Sequence, residues 1–269
     1  MCDIKVGFVG GGNMAEALIR GLLAAGARPE NLMVVELLPQ RRDVLQQRYG
    51  VAVTASSEEL VATQRLILLA VKPQALEAAL VPLADGFSAE HCLVSMLAGV
   101  STARIEQLLG GRPRVVRVMP NTPALIGVGA AGICRGRHAT SEDEALSCQL
   151  FAAVGTVEVV KESLMDAVTG LSGSGPAYVF MLIEALADGG VLEGLPRDVA
   201  LNLAAQTVSG AAQMVLQEQE HPAILRERVC SPAGTTIAAV RALEQGGLRA
   251  TVIEAVARAA GRSRELGQH

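Results

Sequence analysis

Apolar positions along this chain follow two rhythms. Up to about residue 160, short and nearly continuous apolar runs alternate with segments at helical spacing. "IKVGFV", "NLMVVE", "RLILLAV", "HCLVSML" and "PRVVRVM" are the runs, and strands buried on both faces of a parallel sheet read this way. Helical spacing fills residues 13–25, 40–49, 74–83 and 102–109 between them. That alternation predicts an α/β fold with a doubly wound, mostly parallel sheet. After about Lys161 every apolar segment follows a helical period, several opening near a proline (Pro176, Pro196, Pro222). The expected division is therefore 1–161 as the sheet domain and 162–269 as an all-helical domain. The helical half is rich in alanine with thin polar faces. Such helices pack against a second subunit, giving a homo-oligomer, or close on themselves as a monomeric bundle.

Composition narrows the function classes. Half of the 269 residues are hydrophobic, yet no uninterrupted apolar run approaches the roughly 18 residues of a membrane span. The opening "MCDIKVGFVGGG" has no basic stretch followed by an apolar one and a small-residue cleavage site, so a cytoplasmic protein is expected. A net charge of −4 argues against nucleic acid or an anionic membrane as partner. Cys2, Cys92, Cys134, Cys148 and Cys230 form no CxxC pair, and His91, His138, His221 and His269 are dispersed. Free thiols in a reducing compartment and no metal are the expectation. With no Trp and two Tyr, stacking platforms for bases are lacking.

The first strand runs into "GFVGGGNMAEAL". Within it Gly10, Gly12 and Ala15 match the dinucleotide fingerprint, following a strand and opening a helix, which makes the domain Rossmann-type. Gly10 permits the tight turn, Gly12 lets backbone approach a pyrophosphate, and Ala15 lets helix and strand pack closely. The helix start, with Gly11, Asn13 and Met14, offers N–H groups to phosphates. Glu36 ends the second strand, where an acidic residue binds the adenosine ribose. Alone it favours NADH over NADPH, while Arg41 and Arg42 stand close enough to counter it. The cofactor is thus NADP(H) or NAD(H), with the preference open. A further strand ends in "AVKP" (Ala70, Val71, Lys72, Pro73), at the carboxyl edge where parallel sheets bind ligands.

Five stretches stand in order: "GGGNMAEAL", "AVKP", "MPNTPA" (119–124), "GLSGSGPAYVF" (170–180) and "HPAILRERVCSPAGTTIAAVRALEQGG" (221–247). Together they resemble the pyrroline-5-carboxylate reductases, from Val6 to Glu265. The resemblance implies an N-terminal Rossmann-type domain and a C-terminal substrate-binding and dimerisation domain, assembled as a homo-dimer, with a pentamer of dimers as the larger assembly. It implies hydride transfer from NAD(P)H to the C=N carbon of 1-pyrroline-5-carboxylate, giving L-proline, the last step of proline biosynthesis. By the same resemblance the glycine loop, Ser57, the turn at 70–73 and Met96, Leu97 and Ala98 line the cofactor. Asn121 and Thr122 lie near the nicotinamide, and the loop at 231–236 holds the substrate.

Two departures stand out. The family's SPGGTT here reads SPAGTT, and Ala233 is tolerable there unless the position needs a positive φ. Members favouring NADPH often carry Ser, Thr or Arg where this chain has Glu36, Leu37 and Leu38. The chemistry suits the composition. A protonated pyrroline is already electrophilic, so positioning replaces strong acid or metal. Ser231 is read as an N-cap with Pro232 near N1, and the N–H groups of Gly234, Thr235 and Thr236 are expected to face a substrate carboxylate. The Thr236 hydroxyl can hydrogen-bond the ring nitrogen, which makes it the candidate catalytic residue. "SGSGPAY" reads as a second N–H-rich helix start, as a hinge, or as both, and Tyr178 as core.

Two other classes compete. A β-hydroxyacid dehydrogenase or related imine reductase shares the layout, but the dehydrogenases carry a catalytic lysine in the second domain and no lysine follows Lys161. A non-catalytic dinucleotide sensor leaves the loop at 231–236 unexplained.

Overall fold

The computed structural model describes residues 4–110 and 113–267; Cys2 and His269 lie outside them. Eight strands form one sheet: β1 Val6–Val9, β2 Leu32–Val35, β3 Ala52–Thr54, β4 Leu66–Leu69, β5 Cys92–Ser95, β6 Arg114–Met119, β7 Gly129–Arg135 and β8 Gly155–Val159. Their order is β3-β2-β1-β4-β5-β6-β7-β8. All neighbours are parallel except β6 and β7. Helices α1 Asn13–Ala24, α2 Pro39–Tyr49, α3 Ser57–Thr63, α4 Leu76–Ala84, α5 Thr102–Leu108, α6 Ser141–Ala152 and α7 Met165–Val168 connect or follow the strands. The doubly wound, mostly parallel sheet is as the apolar pattern predicts.

The reason the strands read as unbroken apolar runs is visible in the packing. Successive side chains point to opposite faces. Val6, Phe8, Leu66 and Leu68 join Leu18, Ile19 and Leu22 of α1 in one core. Val9, Ile67 and Leu69 join Leu60, Leu80 and Ile105 in another. Both faces are covered, so no polar side is needed. Among the buried thiols, Cys92 is driven upward in pKa by burial and Cys134 is pushed up to about 12 for the same reason. The described cysteines are all free.

Two compact units divide the chain, one of Met1–Ser174 with Ala257–His269 and one of Gly175–Val256. Helices α8 Gly175–Leu192, α9 Arg197–Glu218, α10 Pro222–Val229 and α11 Thr235–Gln245 belong to the second; α12 spans Leu248–Leu266. Its small core is alanine-based: Ala187, Ala200 and Ala204, backed by Ile183 and Val191. Pro222 occupies the first helical position of α10, Pro176 lies in the first turn of α8, and Pro196 is the N-cap of α9.

Much of that unit's apolar surface is uncovered, including Phe180, Met181, Leu192 and Leu216. Segments Glu162–Leu192 and Arg197–Glu218 reach the length and mean hydropathy, 1.3 and 1.2, of a membrane span. Counting uninterrupted runs misses this, because scattered Gly, Ser and Gln break each run without much lowering its average.

Candidate functional site

The carboxyl ends of the parallel strands carry the first cluster of predicted residues. Gly10 follows β1 with φ +96, a left-handed conformation, and a Cβ there would lie 2.8 Å from the Ala70 carbonyl oxygen. Only glycine fits both demands. Gly12 is the N-cap of α1 with no side-chain cap, and a Cβ on it would meet nothing within 4 Å. The helix start therefore faces open space with N–H groups available, as a pyrophosphate requires. Ala15 is fully buried behind it.

Glu36 follows β2 and its carboxylate is already engaged. Oε2 accepts from the Gly11 N–H at 3.0 Å, and Oε1 accepts from the Leu38 N–H at 3.0 Å. The arginines next to it turn inward. Arg41 Nε donates to the Gly11 carbonyl at 2.6 Å, and its Nη2 donates to Glu16. Arg42 Nη1 donates to the Glu36 and Leu37 carbonyls at 2.6 and 3.0 Å. Leu37 and Leu38 are exposed.

Neighbouring strand ends extend this rim. The Ala70 N–H donates to the Val9 carbonyl at 2.9 Å and the Met96 N–H to the Leu69 carbonyl at 3.2 Å. Both 70–73 and 96–98 thus continue from adjacent strands, with Lys72 exposed and Leu97 buried. Ser57 is the first residue of α3, beyond the same end of β3, and Ser56 is the residue that caps the helix. Asn121 and Thr122 follow β6, where Asn121 Oδ1 accepts from the Ala130 N–H at 2.8 Å and Thr122 is exposed. Residues Thr169–Gly173 form a π-helical turn, and a Cβ on Gly173 would meet Met119 Cε at 2.6 Å.

The second cluster, residues 231–236, lies in the other unit and departs from the sequence reading in two ways. Gly234, not Ser231, is the N-cap, and α11 begins at Thr235. Ser231 instead starts a turn: its carbonyl accepts from the Gly234 N–H at 3.0 Å, so that N–H is not free for a ligand. Pro232 pre-sets the turn's second position, which stops the helix from starting earlier. Among the described residues no acceptor meets the N–H groups of Thr235, Thr236 and Ile237. The free donors are thus displaced by one residue. The Ser231 hydroxyl leans over Gly234, where a Cβ would lie 2.2 Å from it.

Ala233 is the third residue of this turn with φ +57. The condition that makes alanine costly is met. A β-carbon in the left-handed region costs roughly 1–2 kcal/mol, partly offset because glycine loses more freedom on folding. Ala233→Gly is expected to stabilise the protein by about 0.5–1 kcal/mol. Thermal denaturation checks this, and a lower midpoint in the variant would show that the methyl group packs favourably.

Tyr178 is half-buried, with its hydroxyl donating to the Ala255 carbonyl at 3.5 Å, so it is a helix-to-helix contact and not core. Sequence reasoning missed Glu16. It lies in the first turn of α1 and collects Arg41, Arg48 Nη1 at 2.8 Å and the Tyr49 hydroxyl at 2.7 Å. Positions 41, 48 and 49 share one face of α2, and that spacing was the available signal.

Known proteins resolve what such a pair of clusters belongs to. Residues 162–266 match the family model for pyrroline-5-carboxylate reductase dimerisation, and residues 5–99 match that for NADP oxidoreductase, coenzyme F420-dependent. A pyrroline-5-carboxylate reductase of Arabidopsis thaliana is 49% identical over 268 residues, covering 99% of this chain and 96% of its own. The chain belongs to the pyrroline-5-carboxylate reductase family. Solved structures agree. The reductase of Coxiella burnetii superposes with a TM-score of 0.93 at 36% identity, covering 98% of both chains. That of Plasmodium falciparum, solved with NADP bound, gives 0.89 at 32% identity over 99% of both.

As a member of this family the protein is an NAD(P)H-dependent oxidoreductase. It reduces the C=N bond of 1-pyrroline-5-carboxylate to give L-proline. The uncovered apolar helices fall in the matched dimerisation region. That region also carries the turn at 231–234.

Proposed function

We propose that the two clusters divide the reaction between them. The rim of Gly10, Gly11, Gly12, Asn13, Met14, Glu36, Ser57, Ala70, Val71, Lys72, Pro73, Met96, Leu97, Ala98, Asn121 and Thr122 holds the dinucleotide, and the turn at 231–236 holds the substrate. When bound, the reduced nicotinamide supplies the hydride. The chain's own part is to bind, orient and polarise. Backbone N–H groups of Thr235, Thr236 and Ile237 take the substrate carboxylate at the positive end of α11. The Thr236 hydroxyl accepts a hydrogen bond from the protonated ring nitrogen, holding its proton in place while the adjacent carbon receives hydride. The observation that carries this reading is the row of N–H groups, unpartnered among the described residues, behind a proline-led turn in a chain that matches 96% of a family relative's length.

The division into 1–161 and 162–269 suits those roles, with the second part serving substrate binding and dimerisation. A homo-dimer, with a pentamer of dimers as the larger assembly, in the cytoplasm and with neither membrane nor nucleic acid as partner, completes the proposal. The apolar segments then cover one another across copies of the chain.

The reaction itself is tested by mixing purified protein with NADH or NADPH, with and without pyrroline-5-carboxylate. Oxidation dependent on the imine is expected; none with either cofactor would sink the reductase reading. Glu36 points to NADH, because its carboxylate stands where a ribose 2′-phosphate would bring like charge. Glu36→Ala is expected to raise kcat/KM for NADPH relative to NADH by about tenfold, the factor of one 1.4 kcal/mol change in relative binding. An unchanged ratio removes Glu36 from that role.

A further inference from the structure

Glu36 would bring like charge to a ribose 2′-phosphate, yet two arginines follow within six residues. Either guanidinium, if turned outward, would bind a 2′-phosphate as a planar fork. Both are already hydrogen-bonded within the chain. Arg42 is held by the Glu36 and Leu37 carbonyls. Arg41 is held by the Gly11 carbonyl and, through Nη2, by Glu16. Gly11 is thereby gripped at both ends, its N–H by Glu36 and its C=O by Arg41.

What keeps Arg41 there is a small, half-buried charge cluster. The Glu16 side chain is only 17% exposed and meets Arg41, Arg48 and the Tyr49 hydroxyl together. The Tyr49 hydroxyl bond, with the two arginines, holds the Glu16 carboxyl at about 2, so it stays charged at any working pH. A carboxylate under the loop competes directly with a phosphate above it for the same guanidinium. Arg48 lies at the far end of the same helix face and is half exposed, so Arg41 is the cation nearest the loop.

We infer that Glu16 is a specificity-determining positioning residue: by holding Arg41 beneath the glycine loop it withholds that cation from a ribose 2′-phosphate. Glu16 touches no part of the cofactor; it acts through Arg41. Selectivity against phosphate then has two components, a carboxylate at the ribose and a cation kept from it. This rests on the reading of the rim as a dinucleotide site and deepens it.

The test is equilibrium binding, read as the ratio of Kd for NADPH to Kd for NADH, repeated with 2′,5′-ADP against ADP. In Glu16→Gln the glutamine still reaches Tyr49 and no longer neutralises Arg41. Both ratios are expected to fall about fivefold to tenfold, as for one partly exposed charge-assisted contact. In Glu16→Gln/Arg41→Ala that gain is expected to vanish. In the wild-type background Arg41→Ala is expected to weaken both dinucleotides alike, through the lost Gly11 support, and to leave the ratio unchanged. Unchanged ratios in Glu16→Gln, or a selective loss of NADPH binding in Arg41→Ala, overturn the inference. Should Glu16→Gln fail to fold, the ratios are read in Glu16→Asp, whose shorter side chain no longer reaches Arg41; the same fall is expected, and unchanged ratios overturn the inference. Failure of the wild-type protein to bind either dinucleotide is a different result, and it removes the rim assignment itself.

Discussion

Replacing Thr236 by alanine is expected to lower kcat/KM for pyrroline-5-carboxylate by about 10- to 150-fold, leaving fold and cofactor affinity nearly intact. The magnitude follows from one hydrogen bond to a charged partner, worth about 1.5–3 kcal/mol. Thr236 is the second residue of α11, half-buried, and among the described residues its side chain has no hydrogen-bond partner. Removing the hydroxyl therefore breaks nothing internal. Alanine is also the better helix former, so loss of activity through unfolding is not expected. Thr236→Ser separates the hydroxyl from the methyl group and should retain most of the activity. Steady-state kinetics with the imine, a dinucleotide titration and a thermal melt are the three readouts. Wild-type kcat/KM in Thr236→Ala would remove the role, and equal losses in the alanine and serine variants would assign it to the methyl group.

The sequence displayed the parts of this molecule whose causes are local. The five strands that form the centre of the sheet were legible because each feeds two cores and therefore tolerates no polar face. The three outer ones were not. β3 has three residues, β7 is "GAAGICR" with little β-branched signal, and β8 has a partly exposed "GTVEV". Helix α6 opens with a capping box between Thr140 and Asp143, and α3 with Ser56 accepting from the Glu59 N–H. Both signals lie within four residues and were available. By contrast the grip on Gly11 joins residues 25 and 30 positions away. No local pattern announces such a contact. The turn at 231–234 is the intermediate case. Its proline and glycine marked a break, but the N-cap falls at Gly234, three residues after Ser231, and the free N–H groups are those of Thr235, Thr236 and Ile237. Ala233 kept its left-handed φ because the turn is fixed by Pro232 and by the bond from Gly234 to Ser231.

The largest effect on stability is expected from Asp166→Ala, a loss of about 3 kcal/mol. Arg117 interrupts the apolar run of β6, and its side chain is 5% exposed. Among the described residues its Nε and Nη2 find no hydrogen-bond partner. Charge compensation comes from Glu162, 3.9 Å away, and Asp166, 3.6 Å away. Neither carboxylate is idle otherwise. Glu162 accepts from the Thr102 N–H at 2.7 Å and its hydroxyl at 2.8 Å, and Asp166 accepts from the Ser263 hydroxyl at 2.6 Å. The same last turns of α12 lie against Gly99, which has φ +75. A Cβ there would come within 2.9 Å of the Ser263 carbonyl and 3.0 Å of Leu266 Cβ. The cluster thus ties the end of the chain to the loop that follows Leu97 in the proposed cofactor rim. Removing Asp166 leaves a buried guanidinium with one distant partner and frees Ser263, and a midpoint lowered by about 6–12 °C is expected. Arg117→Met should cost less, because it removes the buried charge and leaves two partly exposed carboxylates that water can reach. If Asp166→Ala melted like the wild type, or Arg117→Met were the worse of the two, the buried cation would not be what this part of the fold is organised around.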